Sequence, residues 1–237
     1  MSLSALPAED QIEPTLRVAG VALTVDVAGA LYEPRSGALI VADLHLEKGS
    51  SFARRGQFLP PYDTATTLGR LARLVETYRP KAVIALGDSF HDGGGPSRLG
   101  EADRAALAAL QRGRDWIWIA GNHDPEPPAR CGGAALSEMT LGPLTLRHEP
   151  QAGARPGELA GHLHPVARLA LRGRGVRRRC FATDGARIVL PAFGAYAGGL
   201  NVRDQAFGGL FAADAFMAWM LGETGVYAIP GFGLRPD

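Results

Sequence analysis

Apolar residues along the chain fall into short runs separated by polar, glycine-bearing breaks. The length and period of each run predict its element. From Thr15 the stretch TLRVAGVALTVDVAGALYEP predicts two or three short antiparallel strands with glycine turns. ALIVA (38–42), AVIAL (82–86) and WIWIA (116–120) are short apolar runs with no polar face, as expected of buried strands. LTLR (144–147) and ELA (158–160) predict a fourth and a fifth strand after them. A helix is expected over Asp63–Tyr78, with Leu68, Leu71, Leu74 and Val75 as its apolar stripe, Asp63 as N-cap and Pro80 as its stop. A second helix is expected from Glu101 to about Arg112. Residues 166–191 predict a meander of VARLAL, a turn at Gly173–Gly175, VRRRCF, a turn at Asp184–Gly185 and RIVLPAF. Residues 206–221 predict a buried amphipathic helix; Asp214 interrupts the run and argues against a membrane span. A strand at 226–229 closes the chain.

Composition narrows the picture. With 237 residues, 46% of them hydrophobic, the chain can bury a sizeable core. Residues 1–14 read as a flexible lead-in and 15–237 as a single domain, with no repeat or linker to divide it. The lead-in lacks a basic stretch and an apolar core, so it is not expected to be a signal peptide. A net charge of +1 excludes a bulk nucleic-acid binder, so any basic surface must be local. Cys131 and Cys180 are too few and too far apart for a disulfide framework or a thiolate zinc site, which suggests a reducing, cytoplasmic setting.

The chemistry lies at the exits of the buried strands. ALIVA leads into Asp43-Leu44-His45, and AVIAL into Gly87-Asp88 with His91 and Asp92 beyond. WIWIA leads into Gly121-Asn122-His123-Asp124, LTLR into His148-Glu149, and ELA into Gly161-His162-Leu163-His164. All six histidines of the chain fall in these five segments. Ligands of open α/β sheets bind outside the carboxyl ends of strands, so five distant segments can meet at one edge. Glycine before Asp88, Asn122 and His162 permits the sharp exit such a site needs. If the segments are extended, Asp43 and His45 point one way, as do His162 and His164. Imidazole, carboxylate and amide oxygen suit Mn, Fe, Zn, Ni or Co. Seven such donors (Asp43, His45, Asp88, Asn122, His148, His162 and His164) exceed what one ion takes and divide naturally between two. Taken singly, each has a plain structural reading: Asp43 as a turn residue, His45 as a core histidine, Asn122 as a left-handed turn residue. Only their joint occurrence reverses that reading.

The set DLH, GDSFHD, GNHD, RHE and GHLH, in that order over residues 38–166, resembles the calcineurin-like metallophosphoesterases. The longer stretches LPPYDT, LGDSFHD, WIAGNHDP, GHLHP, RRCFATDG and LPAFGAY are similar to bacterial ligase-associated DNA damage response endonucleases of the PdeM type. The resemblance implies a four-layer α-β-β-α sandwich of two mixed sheets flanked by helices. It implies a first metal on Asp43, His45 and His164, a bridging Asp88, and a second metal on Asn122, His148 and His162. Mn is the expected ion, with Fe, Zn or Ni as alternatives, and a hydroxide bridging the metals is the nucleophile. It implies His123 as general acid, oriented and charge-stabilised by Asp124, and His91 in contact with substrate or with a metal ligand. It further implies DNA as substrate, and a repair ligase or helicase as partner. Two other readings stand beside this one: a phosphodiesterase of small substrates such as cyclic nucleotides or nucleotide-sugar lipids, and a non-catalytic scaffold of the same fold.

Two further features bear on substrate. RLALRGRGVRRR (168–179) holds six arginines, among which Arg172 and Arg174 at the hairpin turn are freest to reach phosphates. Arg54 and Arg55 could add to the rim of the site. The alternative for the hairpin is a solvated edge guarded by charge against strand pairing. The glycine loop HDGGGPSRLG lacks the Lys-Ser/Thr of a phosphate-binding loop and reads as plain surface.

Overall fold

The computed structural model describes residues 14–126, 131–171 and 174–237. The expected flexible lead-in therefore lies outside the described residues except for Pro14, whose carbonyl accepts from Val25 N. Arg172 and Gly173 also lie outside them.

One sheet runs in chain order: β1 (Thr15–Val18), β2 (Val21–Val25), β3 (Leu31–Glu33), β4 (Ala38–Val41), β5 (Ala82–Leu86), β6 (Asp115–Ile119) and β7 (Ala134–Leu136). It is antiparallel from β1 to β4 and parallel from β4 to β7. Four helices are interleaved: α1 (Lys48–Ala53), α2 (Asp63–Tyr78), α3 (Gly95–Arg98) and α4 (Glu101–Gln111). The second sheet comprises β8 (Glu138–Leu141), β9 (Leu144–Arg147), β10 (Glu158–Ala160), β11 (Pro165–Leu171), β12 (Arg174–Thr183), β13 (Arg187–Val189), β14 (Leu200–Asn201), β15 (Met217–Leu221) and β16 (Val226–Pro230). Its order is β14-β11-β12-β13-β10-β9-β8, with β15 paired to β12 and β16 to β15.

The apolar runs explain the stacking. Ile40, Ile84, Leu86 and Ile119 meet Leu144, Leu146, Leu159, Phe181 and Ile188 in a core between the sheets. The opposite faces of β4 to β6, with Leu39, Val41, Val83, Trp116 and Trp118, pack on Leu68, Leu71 and Leu74 of α2 and Leu107 and Leu110 of α4. Full burial of each leucine contributes about 2 kcal/mol. Two mixed sheets thus stack as the sandwich requires. The outer face of the second sheet is covered by a 3-10 turn (Gln205–Phe207) and irregular chain, through Val202, Phe207, Leu210 and Phe216.

That covering corrects the helix expected over 206–221, which is instead the 3-10 turn followed by β15. Trp219 packs on the core between the sheets while Ala218 and Met220 pack on the outer cluster. A strand covered on both faces shows no polar alternation, so its run cannot be told from a helix by period. Asp63 is also displaced from its expected capping position. Tyr62 is the N-cap of α2, and the Asp63 carboxylate accepts from Gly49 N in the first turn of α1 at 3.0 Å. Among the described residues no helix is long and apolar enough to cross a membrane.

Candidate metal centre

The carboxyl ends of β4, β5 and β6 in one sheet, and of β9 and β10 in the other, open onto the same place. Backbone hydrogen bonds zip the exits together. His45 N donates to Asp88 O, Leu46 N to Ser89 O and His91 N to Leu46 O, each at 2.9 Å. Gly161 N donates to His148 O at 2.9 Å. Two carboxylates then cross between segments: Asp43 accepts from His162 N at 3.0 Å, and Asp88 Oδ1 from His123 N at 2.9 Å.

Local backbone conformation differs from the extended expectation. Asp43, His45, Asp88, His162 and His164 all have positive φ, between 43° and 69°. Left-handed backbone costs a non-glycine residue energy and persists where surrounding structure enforces it, typically at functional sites. The Asp-x-His and His-x-His pairs therefore converge through left-handed turns rather than through strand alternation. The glycines are required by proximity: a Cβ on Gly87 would collide with the His148 ring, and one on Gly121 with Asp88 N and the Asp88 carboxylate. A Cβ on Gly161 would stand 2.6 Å from Asp43 Oδ2. The expectation missed Gly194, whose N donates to Asp43 O at 3.1 Å and whose Cβ would strike Leu44 O. Its signal was the small residue in LPAFGAY, on a segment that carries the chain from β13 across to β4.

The side chains form three groups of potential ligands: two contain a carboxylate, and the third is His45, His91 and His123. Asp43, His45 and His164 bring one ligand atom each to within 4.8 Å of the others, as do Asp88, His148 and His162. In the first, His45 Nε2 stands 3.1 Å from His164 Nε2, which is 3.4 Å from Asp43 Oδ1. In the second, His148 Nε2 is 2.8 Å from Asn122 Oδ1 and 3.4 Å from Asp88 Oδ1, and His162 Nδ1 is 2.9 Å from Asn122 Oδ1. Asp88 stands between the groups: its Oδ2 faces His45 Nε2 at 3.9 Å while its Oδ1 faces His148. His148 shows why a cation fits. Its Nδ1–H donates to Leu86 O at 3.0 Å, which leaves Nε2 a bare lone pair. That lone pair points at two oxygens with no proton to offer between them, an arrangement a divalent cation satisfies.

The calcineurin-like phosphoesterase family model matches residues 38–170, more than half of the chain, and its span contains both groups. The chain is a calcineurin-like phosphoesterase. Its fold is similar to the crystal structure of the Pseudomonas putida nuclease MPE, with a TM-score of 0.69 and 32% sequence identity, over 91% of this chain and 99% of that one. A comparison with curated proteins finds no match. As a member of this family the phosphoesterase is a hydrolase that uses divalent metal ions, and its histidine and aspartate groups suit them.

Around the two groups the phosphoesterase carries further histidines. His123 is exposed, and its Nδ1–H donates to His91 O at 2.8 Å, so Nε2 faces the centre, 3.9 Å from Asp88 Oδ2. This corrects the orienting part of the role expected of Asp124, whose charge still acts on His123. The buried Asp124 carboxylate accepts from Phe90 N at 2.9 Å and does not hold the His123 ring; the His91 carbonyl does. Asp124 instead fixes the backbone between Asp88 and His91. The His91 ring stacks on His123 with centroids 5.2 Å apart and lies 5.5 Å from Phe52. Glu149 is exposed, and the partner of the His148 ring is the Leu86 carbonyl. In the glycine loop, Asp92 accepts both Arg98 Nη1 and Nη2 and caps the turn at Gly94 N, so its charge is internal to the loop.

Burial sets the protonation of this region. It drives His45 far below the usual imidazole range, and it pushes His91 down to about 4, with Lys48 and His123 adding repulsion. It raises Asp124 to about 7, with the Asp88 charge adding to the rise. The signs are opposite for stability. Between about 6.5 and about 4 the unfolded chain protonates His91 and the folded chain does not, so stability is lost as pH falls through that window. Between the ordinary carboxylate range and about 7 the folded chain keeps a proton on Asp124, so stability is lost as pH rises. In chelated, metal-free protein, His91→Asn should therefore flatten the rise of stability with pH, and Asp124→Asn should steepen it, each by up to about 1.4 kcal/mol per pH unit. Urea unfolding from pH 4.5 to 7 checks both; slopes shifted in the same direction would contradict the assignment.

The basic hairpin is less free than its sequence suggests. Arg177 pairs with Asp237 at 3.0 Å and donates to Gly199 O. Arg179 is partly buried and donates to Ala192 O and Ala28 O, and Arg168 donates to Pro236 O. Arg174 is exposed at the end of β12, opposite Leu171, and Arg172 lies outside the described residues. Six residue steps lead from Pro165, next to His164, to Leu171, so Arg174 stands roughly 20 Å along the sheet from the metal centre.

Proposed function

We propose that the phosphoesterase is a dinuclear nuclease that hydrolyses phosphodiester bonds of DNA, in the reducing cytoplasm and in the service of DNA repair, with residues 15–237 as one catalytic domain. The observation that carries this reading is Asp88, whose two carboxylate oxygens face two different groups of ligand atoms. Asp43, His45 and His164 would hold one ion, Asn122, His148 and His162 the other, and Asp88 both. When bound, the two ions, Mn foremost, activate the attacking water and neutralise charge on the phosphate oxygens.

The chain's own residues supply the rest. His123, held by the His91 carbonyl, presents Nε2 to the leaving oxygen and delivers its proton as general acid. Asp124 acts as a positioning residue through the backbone of the Asp88–His91 loop. The exposed Asn122 and the half-buried His91 flank the place where the phosphate would lie and would touch it. Arg174, distant from the chemistry, would meet phosphates farther along a polymer, and the same role is proposed for Arg172. Buried, unpaired Cys131 and Cys180 support the reducing compartment, and the similarity to a nuclease supports a nucleic-acid substrate.

A metal-by-substrate matrix tests the reading. Metal-free protein is reloaded with Mn, Fe, Zn or Ni and assayed on single-stranded DNA, duplex DNA, RNA, a 2′,3′-cyclic nucleotide and an aryl diester. Activity on DNA with Mn is expected. Hydrolysis of the cyclic nucleotide alone would move the assignment to small substrates, and no metal-dependent turnover on any diester would remove the enzyme reading.

A further inference from the structure

Between α1 and α2 the chain reads Arg54-Arg55-Gly56-Gln57-Phe58-Leu59-Pro60-Pro61-Tyr62. Phe58 is 85% exposed and Tyr62 66%, among the most exposed large apolar side chains of the described residues, and both arginines are exposed as well. The loop is built rather than loose. Arg55 N and Gln57 N both donate to Phe52 O, at 2.9 and 3.0 Å, and Tyr62 N donates to Pro60 O at 2.9 Å. Pro60 and Pro61 fix their own backbone angles, which lowers the entropy lost when a ligand binds. Pro60 O lies 3.6 Å from where a Gly49 Cβ would stand, so the loop folds back on α1.

That position borders the metal centre. α1 begins three residues after His45, and its Phe52 ring lies beside His91. Arg55 is close enough for its charge to act on His91, and the Arg54 guanidinium reaches the loop at Gly94. The side of the centre carrying His91 and His123 is thus flanked by α1 and two cations, and the exposed Phe58 and Tyr62 lie on the chain that continues from them.

We propose that this loop is a stacking platform, on which Phe58 and Tyr62 hold unpaired nucleobases while Arg54 and Arg55 hold the adjoining phosphates. The preferred substrate is then single-stranded or locally unpaired nucleic acid. This rests on the polynucleotide reading above. Exposed rings offer their π-faces to any base, but only a base freed from the duplex stack can reach them. The arginines add the charge that a neutral chain must concentrate locally to grip a polyanion.

Steady-state kinetics of wild type, Phe58→Ala, Tyr62→Ala, the double variant, Phe58→Leu and Phe58→Trp separate the possibilities. Each is measured on a single-stranded oligonucleotide and on bis(p-nitrophenyl) phosphate. Each alanine should raise KM for the oligonucleotide roughly tenfold. Phe58→Leu, which keeps apolar bulk without a ring face, should behave like alanine, and Phe58→Trp like wild type. Kinetics on the aryl diester should not change. An unchanged oligonucleotide KM in the double variant would overturn the proposal, as would an equal loss on the aryl diester. Phosphatidylglycerol vesicles that bind wild type but not Phe58→Ala, with oligonucleotide KM unaffected, would reassign the loop to a lipid surface. A wild type that hydrolyses the aryl diester and no oligonucleotide would end the polynucleotide reading itself, and this proposal with it.

Discussion

Replacing His123 with alanine should lower kcat on an alkyl phosphodiester by about 10²–10⁴-fold, the usual worth of a positioned general acid. It should leave hydrolysis of an aryl diester far less affected. The difference stems from the leaving group: an alkoxide needs a proton as the P–O bond breaks, whereas a nitrophenolate departs without one. His123 is placed for this task. Its Nδ1–H is held by the His91 carbonyl, and its Nε2 looks into the cleft from an exposed position. Because the ring lies outside both ligand groups of Asp43 and Asp88, the variant should keep its full metal content. Single-turnover rates on the two substrates, with metal analysis of the same sample, check the prediction. Equal losses on both substrates would argue against proton delivery by His123.

Asp88→Asn should act on the metals themselves. In the proposed dinuclear centre the substitution would remove the negative charge that two cations would share and offer one oxygen where two are required. The loss of metal affinity should exceed the roughly 10–100-fold caused by losing a mere outer partner of a ligand. The effect has a second route through the backbone, since Asp88 Oδ1 also accepts from His123 N at 2.9 Å. Loss of the carboxylate therefore slackens the very segment that carries the general acid. Titration of metal-free variant with Mn, monitored by calorimetry, should show weakened binding and at least one site lost. Two sites of undiminished affinity would refute the bridging role.

Much of the fold and of the centre is legible in the sequence, for physical reasons. Strands buried on both faces announce themselves as short apolar runs, and the residue after such a run is delivered to the carboxyl edge of a sheet. Six histidines gathered at five such exits could hardly serve packing alone. Conformation that depends on partners distant in the chain stays hidden. Nothing local in Asp43-Leu44-His45 indicates left-handed turns, because those turns are enforced by contacts with Gly87, Asp88 and Gly194. The orienting of His123 by Asp124 that the family resemblance implies gives way to a contact set by the His91 carbonyl, 32 positions away. Arg177 and Arg179 look free on a charged hairpin, yet the first clips the C-terminal Asp237 and the second holds carbonyls of two other segments. β15 reads as a helix because both its faces are covered, and a run without a polar face carries no period to read.

The proposed pairing of cations around Asp88 can be tested directly. Crystals of the Mn-loaded protein, measured near the manganese absorption edge, should show two anomalous peaks about 3.5–4 Å apart, one on either side of the Asp88 carboxylate. One peak should be ligated by Asp43, His45 and His164 and the other by Asn122, His148 and His162. A single peak in catalytically competent crystals, or a pair that Asp88 does not touch, would contradict the dinuclear centre.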